Sequence, residues 1–377
     1  MRIGFDATNM LGHGGIKTYA RELIRALSQE YAGDAFQLLT TASRSRRARL
    51  DQLFEGLPNI TVRGFMPHVR MLGSGLSHLT AMIGRLSWLR ESRRLDLVHL
   101  TDPYGASALP GRFVCTIHDL FPLTRNEYAG TSLRRRYGRR TRGILEGCLA
   151  VVTPSGYVRE QLKSLFPETL CPVTVVPEAA SPIFRPVTGG QASLSGYGLT
   201  PEGYFMYVGR LDPRKNVQRL VDAWEALPQG VRSERRLVLV VSGAAPGGSL
   251  DALEGIEGAI VIRDVAESDL RLLYSSALAL VFPSLDEGFG LPVLEAMRCG
   301  CPVITSRASC LPETAGSAAL LADPEDTASI SDGMRKMAES EELRMEYSTA
   351  GLQRASEFSW QRTARETMRV YRKALDL

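Results

Sequence analysis

Two glutamates, Glu287 and Glu295, stand eight residues apart in the run 283–297, with Gly288 and Gly290 between them. An apolar stretch from Leu278 to Phe282 leads into this run, and a helical pattern follows Pro292. Proline suits a first helical turn, because its φ already matches and its missing N–H would have no partner there. The spacing therefore predicts a strand, a glycine loop and a helix whose first amides and positive dipole end point back at the loop. That is an anion-binding device, with glycines that let a ligand approach the backbone. Its amides come from Gly288, Phe289, Gly290 and Leu291, and two carboxylates frame it.

A second group of charges follows another predicted strand, 204–208. Gly209 and Arg210 leave its end, and Lys215 and Asn216 follow within one loop. Lys215 is one of only five lysines beside forty arginines, so a compact point charge reads as specified there. A forked guanidinium with a mobile ammonium suits a diphosphate; simple surface decoration is the alternative. In the first half, His118 and Asp119 stand at the exit of a predicted strand 113–117, where an imidazole would be presented to a crevice. His99, inside a predicted strand 95–101, reads as a packed core histidine. Gly12, Gly14 and Gly15 form a loop after the first strand, either a flexible wall of a crevice or a plain tight turn. They do not complete a dinucleotide fingerprint.

These groups need a scaffold. Strands are expected at 2–6, 36–40, 60–63, 95–101, 113–117, 149–153 and 173–177, with helices between several of them. One helix carries Ile16, Tyr19, Ala20, Leu23, Ile24, Leu27 and Tyr31 on a single face. Ser155 is expected to cap a helix running through Leu165. After a Pro-, Gly- and Ser-rich stretch at 181–198 the alternation restarts, with strands at 204–208, 237–241, 259–262, 278–282, 302–305 and 320–322. Strand–helix alternation of this kind builds parallel sheets covered on both faces, with ligands beyond the C-terminal strand ends. The expected organisation is an N-terminal domain 1–180, a linker 181–199, a second domain 200–359, and a final helix 360–377 returning to the first domain.

Composition narrows the class. The chain has 377 residues, 44% hydrophobic and 23% charged, which suits a soluble protein with more than one core. No apolar run is long enough for a signal peptide or a membrane span. Six scattered cysteines without a Cys-x-x-Cys pair fit reduced thiols in a cytosol. Neither His-x-x-x-His nor Asp-x-Asp occurs, so no metal is expected. The net charge of +4 is uneven: residues 1–180 carry +9 and the remainder −5. Arginine runs at 44–49, 85–94 and 134–142 read either as solvated helix faces or as a surface for an anionic membrane or acceptor. Aromatic residues are not interleaved with them, which argues against nucleic acid.

Taken in order, these motifs resemble the retaining GT-B glycosyltransferases, family 4 or group 1 in particular. The likeness rests on the glycine loop, Ile117-His118-Asp119, Pro154-Ser155, Gly209-Arg210 with Lys215-Asn216, and Glu287 to Glu295, which looks like the family's Glu-x7-Glu block. Gly300-Cys301-Pro302 and Leu311-Pro312-Glu313 look like the segments that follow. The resemblance implies two doubly wound Rossmann-like domains facing a central cleft, and a nucleotide-sugar as substrate with no cofactor. It implies a catalytic group of Glu287, His118, Arg210 and Lys215. Arg210 and Lys215 would neutralise the diphosphate, with the amides of Gly288 to Leu291 adding a helix N-terminus. Glu295, in the first turn of that helix, would meet the ribose, and Glu287 the transferred sugar. His118 would touch that sugar from the other domain, while Gly14 and Gly15 close on the phosphate.

The pattern also departs from the family. Arg263-Asp264 stands where a glycine is common before the base-reading segment at Val265, and Pro177 to Phe184 replaces an Asn-Gly-Val-Asp-like turn. The segment from Ala308 to Asp326 resembles bacterial mannosyltransferases of surface polysaccharide synthesis. The implied reaction moves mannose from GDP-mannose to a glycan or lipid-linked glycan, in the cytoplasm or at the inner face of the plasma membrane. The acceptor would be held by loops near 65–90 and 120–140. A UDP-sugar donor, a nucleotide-sugar epimerase and a non-catalytic sugar-nucleotide-binding protein are the other readings.

Overall fold

A computed structural model describes residues 1–7, 10, 11, 14–40, 43–64, 82, 83, 86–104, 106, 111–124, 130–187, 189, 194–243 and 253–377. Gly12, most of 65–90 and residues 125–129 lie outside the described residues, while the rest of 120–140, expected as loop, is mostly helical: Phe121–Thr124 and the first half of Thr131–Gly147. The chain divides into two units. Unit 1 is Met1–Glu178 with Ser359–Leu377, and unit 2 is Ala179–Phe358.

Unit 1 is a seven-stranded sheet in the order β3-β2-β1-β4-β5-β6-β7. Its strands are β1 Arg2–Asp6, β2 Ala35–Thr40, β3 Ile60–Gly64, β4 Leu97–Leu100, β5 Phe113–Thr116, β6 Ala150–Thr153 and β7 Val173–Val175. All neighbours pair in parallel. Strands β4, β5 and β6 are buried along their whole length, which is why they read as unbroken apolar runs rather than alternating ones. Helices α1 Gly15–Glu30, α2 Arg44–Leu53, α3 Thr131–Gly147 and α4 Gly156–Leu165 belong to this unit. In α1 the face formed by Tyr19, Ala20, Leu23, Ile24 and Leu27 is buried. Ile16 departs from the expected pattern: it lies in the first turn, 39% exposed. Ser155 caps α4 by accepting from the Val158 amide at 3.3 Å. The arginines of α2 are exposed.

Unit 2 repeats the plan with six strands in the order β10-β9-β8-β11-β12-β13. These are β8 Tyr204–Gly209, β9 Arg236–Val241, β10 Ala259–Arg263, β11 Ala279–Phe282, β12 Val303–Ser306 and β13 Leu320–Ala322, again all parallel. Its longer helices are α5 Val217–Glu225, α6 Glu267–Ser276, α7 Leu291–Arg298, α8 Thr327–Glu339 and α9 Glu341–Ser356, with short ones at Gln229–Glu234 and Leu311–Ala315. The stretch entering the unit is held by α6 and α7. Arg271 Nε donates to the Arg185 carbonyl at 2.9 Å, and Arg298 Nε to the Phe184 carbonyl at 3.1 Å.

The last helix, α10 Trp360–Ala374, is part of unit 1. Its Trp360 ring lies 5.9 Å from that of Tyr19, and Arg365 pairs with Glu30 at 3.1 Å. Tyr371 meets His99 Nδ1 at 2.6 Å, while His99 Nε2 meets Thr116 Oγ1 at 2.8 Å. Both ring nitrogens are satisfied, and burial holds the imidazole neutral by pulling its pKa down to about 3. His99 therefore joins α10 to the sheet and does no acid–base chemistry near neutral pH.

The two strand orders share a feature that positions the chemistry. In unit 1 the chain moves outward one way through β2 and β3 and the other way through β4 to β7, so connections diverge between β1 and β4. In unit 2 they diverge between β8 and β11. Such switch points leave a crevice beyond the carboxyl ends of the two central strands.

Candidate active site

The unit 2 switch point is built from the loops that leave β8 and β11. After β8, Asp212 caps a single 3₁₀ turn, Pro213–Lys215, by accepting from the Arg214 amide at 3.1 Å. Asn216 then adopts the left-handed region, φ 61°, and its side chain donates to the carbonyls of Pro283 (3.0 Å) and Pro324 (2.6 Å). The Leu285 amide donates to the Arg214 carbonyl at 2.7 Å. The two loops are thus laced together by backbone and amide bonds before any charge is counted.

Glu287 sits where they meet. Lys215 Nζ donates to its Oε1, Ser284 Oγ lies 2.6 Å from the same oxygen, and Arg214 Nη1 donates to Oε2 at 3.2 Å. Arg214 also donates to the Asp286 carbonyl at 3.1 Å. Lys215 and Glu287 are each 8% exposed. Burial works against the Glu287 charge, but Lys215 and then Arg214 outweigh it and hold the carboxylate below its ordinary range. Burial lowers the Lys215 ammonium, only partly opposed by Glu287. Asp212 Oδ2 also lies 3.6 Å from Arg214 Nε, so the two cations face two carboxylates, Glu287 and Asp212. The Lys215 ammonium also lies 5.1 Å from the Phe282 ring, within cation–π range.

Helix α7 begins beside this cluster. Gly290 is its N-cap, with φ 92° and no side-chain cap, and a Cβ there would stand 2.6 Å from Leu311 Cδ2. Only glycine fits that position, by conformation and by space. Thr314 Oγ1 holds the loop by donating to the Phe289 carbonyl at 2.5 Å. The helix begins at Leu291, with Pro292 in its second position, rather than after Pro292 as the proline alone suggests. Glu295 consequently falls in the second turn and not the first. It is half-buried, accepts from Tyr274 Oη at 3.2 Å, and is pushed up to about 7 by burial.

The other residues singled out from the sequence are dispersed. Gly209 ends β8, where a Cβ would approach Tyr207 Oη to 2.5 Å. Arg210 follows it but is exposed, while its carbonyl accepts from Tyr207 at 3.0 Å. The cation beside Lys215 is instead Arg214, which sequence reading passed over; its signal was the Asp212-Pro213 start of a capped turn. Val265 is half-buried between β10 and α6, and Asp264 before it takes a glycine-like φ of 50°. Gly288 and Phe289 are buried beneath the loop.

In unit 1, Gly14 is the N-cap of α1 with φ 122° and Gly15 is exposed in its first turn. His118 is engaged at both nitrogens: Nδ1 with Glu178 Oε1 at 2.8 Å and Nε2 with the Thr101 carbonyl at 2.9 Å. The Thr101 carbonyl can only accept, so Nε2 carries a proton, and Nδ1 donates to the Glu178 carboxylate when the imidazole is charged. Burial opposes that charge, but the bond and charge of Glu178 prevail and raise the imidazole above its ordinary value. Tyr19 packs edge-on at 4.7 Å. Among the described residues no group of three or more His, Cys, Asp or Glu has metal-site geometry, and no helix is long and apolar enough to cross a membrane.

A parallel α/β fold with paired cations and a helix N-terminus at a switch point suits an anionic ligand, and comparison with known proteins makes the class specific. The profile described as Glycosyl transferases group 1 matches residues 198–354, and that described as Glycosyltransferase Family 4 matches residues 13–181. The chain belongs to this family of glycosyltransferases, and its fold is GT-B.

Among curated relatives, the O-antigen chain mannosyltransferase B of Escherichia coli is 33% identical over 270 residues, covering 69% of this chain and 70% of that protein. A serotype-specific mannosyltransferase of E. coli is 28% identical over 271 residues; the match covers 69% of this chain but only 33% of that larger protein. Among solved structures, a sucrose-phosphate synthase from Thermosynechococcus elongatus matches with a TM-score of 0.79 at 20% identity, covering 100% of this chain and 99% of that one. The Anabaena protein HepE in complex with UDP-glucose matches at 0.72 and 16%, with 100% of both chains covered.

Proposed function

We propose that the chain transfers a mannosyl residue from a nucleotide-sugar, GDP-mannose, to a glycan or lipid-linked glycan during synthesis of a bacterial surface polysaccharide, with retention of anomeric configuration. The observation that carries the donor half is the cluster of Arg214, Lys215 and Glu287 beside the α7 N-terminus. Mannose is supported by the relative that is an O-antigen chain mannosyltransferase, and a nucleotide-sugar by the solved relative that binds UDP-glucose.

In this reading the diphosphate is met by Lys215, by Arg210 at the rim and by the helix amides. These are fixed charges and dipoles aimed at the negative charge that grows on the leaving phosphate. The bond from the anomeric carbon to the phosphate oxygen breaks through an oxocarbenium-like state. The acceptor oxygen bonds to that carbon from the same face, and its proton passes to the departing phosphate. Glu287 orients the sugar and holds Lys215, and Glu295 accepts from ribose hydroxyls. No metal is required in this scheme. A covalent glycosyl adduct trapped on Glu287 would overturn the same-face step.

The donor is tested by thermal shift against GDP-, UDP- and ADP-sugars, because a ligand that binds only the folded state raises the melting point by mass action. A rise with GDP-mannose alone is expected. No rise with any of the three at millimolar concentration would sink the donor assignment.

A further inference from the structure

The cysteines are scattered in sequence, yet the fold of unit 1 gathers three of them: Cys115, Cys148 and Cys171. Cys148 is the C-cap of α3 and stands two residues before β6, and Cys171 stands two residues before β7. Strands β6 and β7 are parallel neighbours, with Val151 opposite Val173, and the Val151 amide donates to the Pro172 carbonyl at 2.8 Å. Parallel pairing therefore brings both cysteines to the same end of one ladder. Their sulfurs lie 2.8 Å apart although 23 positions separate them in the chain. Cys115, in β5, belongs to the same core cluster and is fully buried.

We propose that Cys148 and Cys171 are an oxidisable dithiol, a covalent modification site that closes into a disulfide and clamps the edge strand β7 onto β6. Both line an open groove of about 610 Å³, together with Arg142, Phe166, Glu168 and Leu170. A space of that size admits a tripeptide-sized disulfide such as oxidised glutathione. The step is thiol–disulfide exchange. One thiol loses its proton to water, and its thiolate attacks a sulfur of the incoming disulfide, breaking that S–S bond and releasing one thiolate. The second cysteine, deprotonated in turn, attacks the mixed disulfide and expels the other thiolate. The protein gives up two electrons and two protons, and the small disulfide leaves as two thiols.

Proximity rather than acidity favours the closure. Contact with Cys115 and burial raise the Cys148 thiol against the opposing bond from Cys171, while the bond to Cys148 and burial raise Cys171. Neither is a ready thiolate at neutral pH, so the first attack is slow; the second, between sulfurs already in contact, is fast. The strand that gains has little other support. It is three residues long, pairs on one side only, and carries the chain to Glu178, which holds His118. Leu170, beside Cys171, is 97% exposed and adds no packing at this end.

The folded chain is incubated with oxidised glutathione, alkylated and mapped by mass spectrometry. A peptide pair linked through Cys148 and Cys171, loss of two thiols titratable in denaturant, and full reversal by dithiothreitol are expected. The link restricts the unfolded chain, so the melting point rises by about 5–10 °C. Cys148→Ser and Cys171→Ser each abolish the link and the rise, whereas Cys299→Ser keeps both. Mapping of the wild type alone decides the matter if a variant fails to fold. A stable glutathione adduct in place of the link, a link through Cys115, or a linked protein that melts no higher than the reduced one overturns the proposal.

Discussion

The two units use one topology and load it differently. Each places a crevice where its connections diverge, between β1 and β4 in unit 1 and between β8 and β11 in unit 2. In unit 2 the loops are short, laced to each other through Asn216 and Arg214, and carry a buried ion-pair cluster. In unit 1 a pocket of about 120 Å³ lies there, with Asp6, Lys17 and Asp102 among the described residues that line it. A parallel sheet thus leaves two topologically equivalent crevices, and the side chains at the strand ends differ between them.

The comparison can be broken most strongly at Glu287. Glu287→Gln leaves Lys215 buried without its counter-ion and Arg214 with Asp212 alone, which is expected to cost about 3–5 kcal/mol. A denaturant titration that follows unit 2 should show that loss, and a change below about 1 kcal/mol would mean the cluster is solvated. Below ordinary carboxylate pH the wild type should approach the variant. The native carboxylate is held low, so its stabilisation exists above its unfolded value and is lost as pH falls through the folded one.

Next in size is Gly290→Ala. The left-handed φ costs about 1–2 kcal/mol for a residue with a Cβ, and the contact with Leu311 adds to it. Gly14 in unit 1 has nothing within 4 Å of an added carbon, so the cost of Gly14→Ala is one of backbone alone: its φ 122° and ψ 152° lie in a region essentially confined to glycine, worth about 1–3 kcal/mol. Melting curves check both variants; a Gly290→Ala protein as stable as the wild type would contradict the packing described around α7.

The smallest effects are pH-dependent and distinguish the units by window. Glu295 in unit 2 has its pKa raised from 4.5 to about 7, so the folded state holds its proton longer than the unfolded chain. Its effect on stability becomes more unfavourable as pH climbs from about 4.5 to 7 and is constant above. Glu295→Gln should therefore gain on the wild type across that range and match it below. His118 in unit 1 is raised above 6.5, so its stabilisation is complete below that value and disappears as pH rises through the folded pKa. His118→Gln should be worst at low pH and approach the wild type in alkali. Melting curves across pH for both variants check this; a Glu295 effect that grows only above pH 7, or a His118 effect already lost below pH 6.5, would show that environment to be misassigned.

Much of the scaffold was legible because parallel strands buried on both faces leave unbroken apolar runs, as β5, β6 and β11 do. The Glu287 loop was legible because glycine and proline mark a strand-to-helix turn with few alternatives. What escaped was pairing at a distance. Arg214 rather than Arg210 meets Glu287, because a 3₁₀ turn capped by Asp212 folds it back, and no periodicity encodes so short a turn. Glu178 lies 60 residues from His118, and nothing local announces that the imidazole is already engaged. Glu295 slipped by a turn because Gly290, in the left-handed region, starts the helix before Pro292. The unit 1 cavity needed the strand order, which a single sequence does not display.

The central claim is that the β8–β11 crevice holds a nucleotide diphosphate through Lys215. Calorimetric titration of the folded wild type and Lys215→Met with GDP tests it directly. Loss of one charged contact of about 2 kcal/mol predicts binding weakened roughly 30-fold in the variant. Equal affinity in the two proteins would contradict the account.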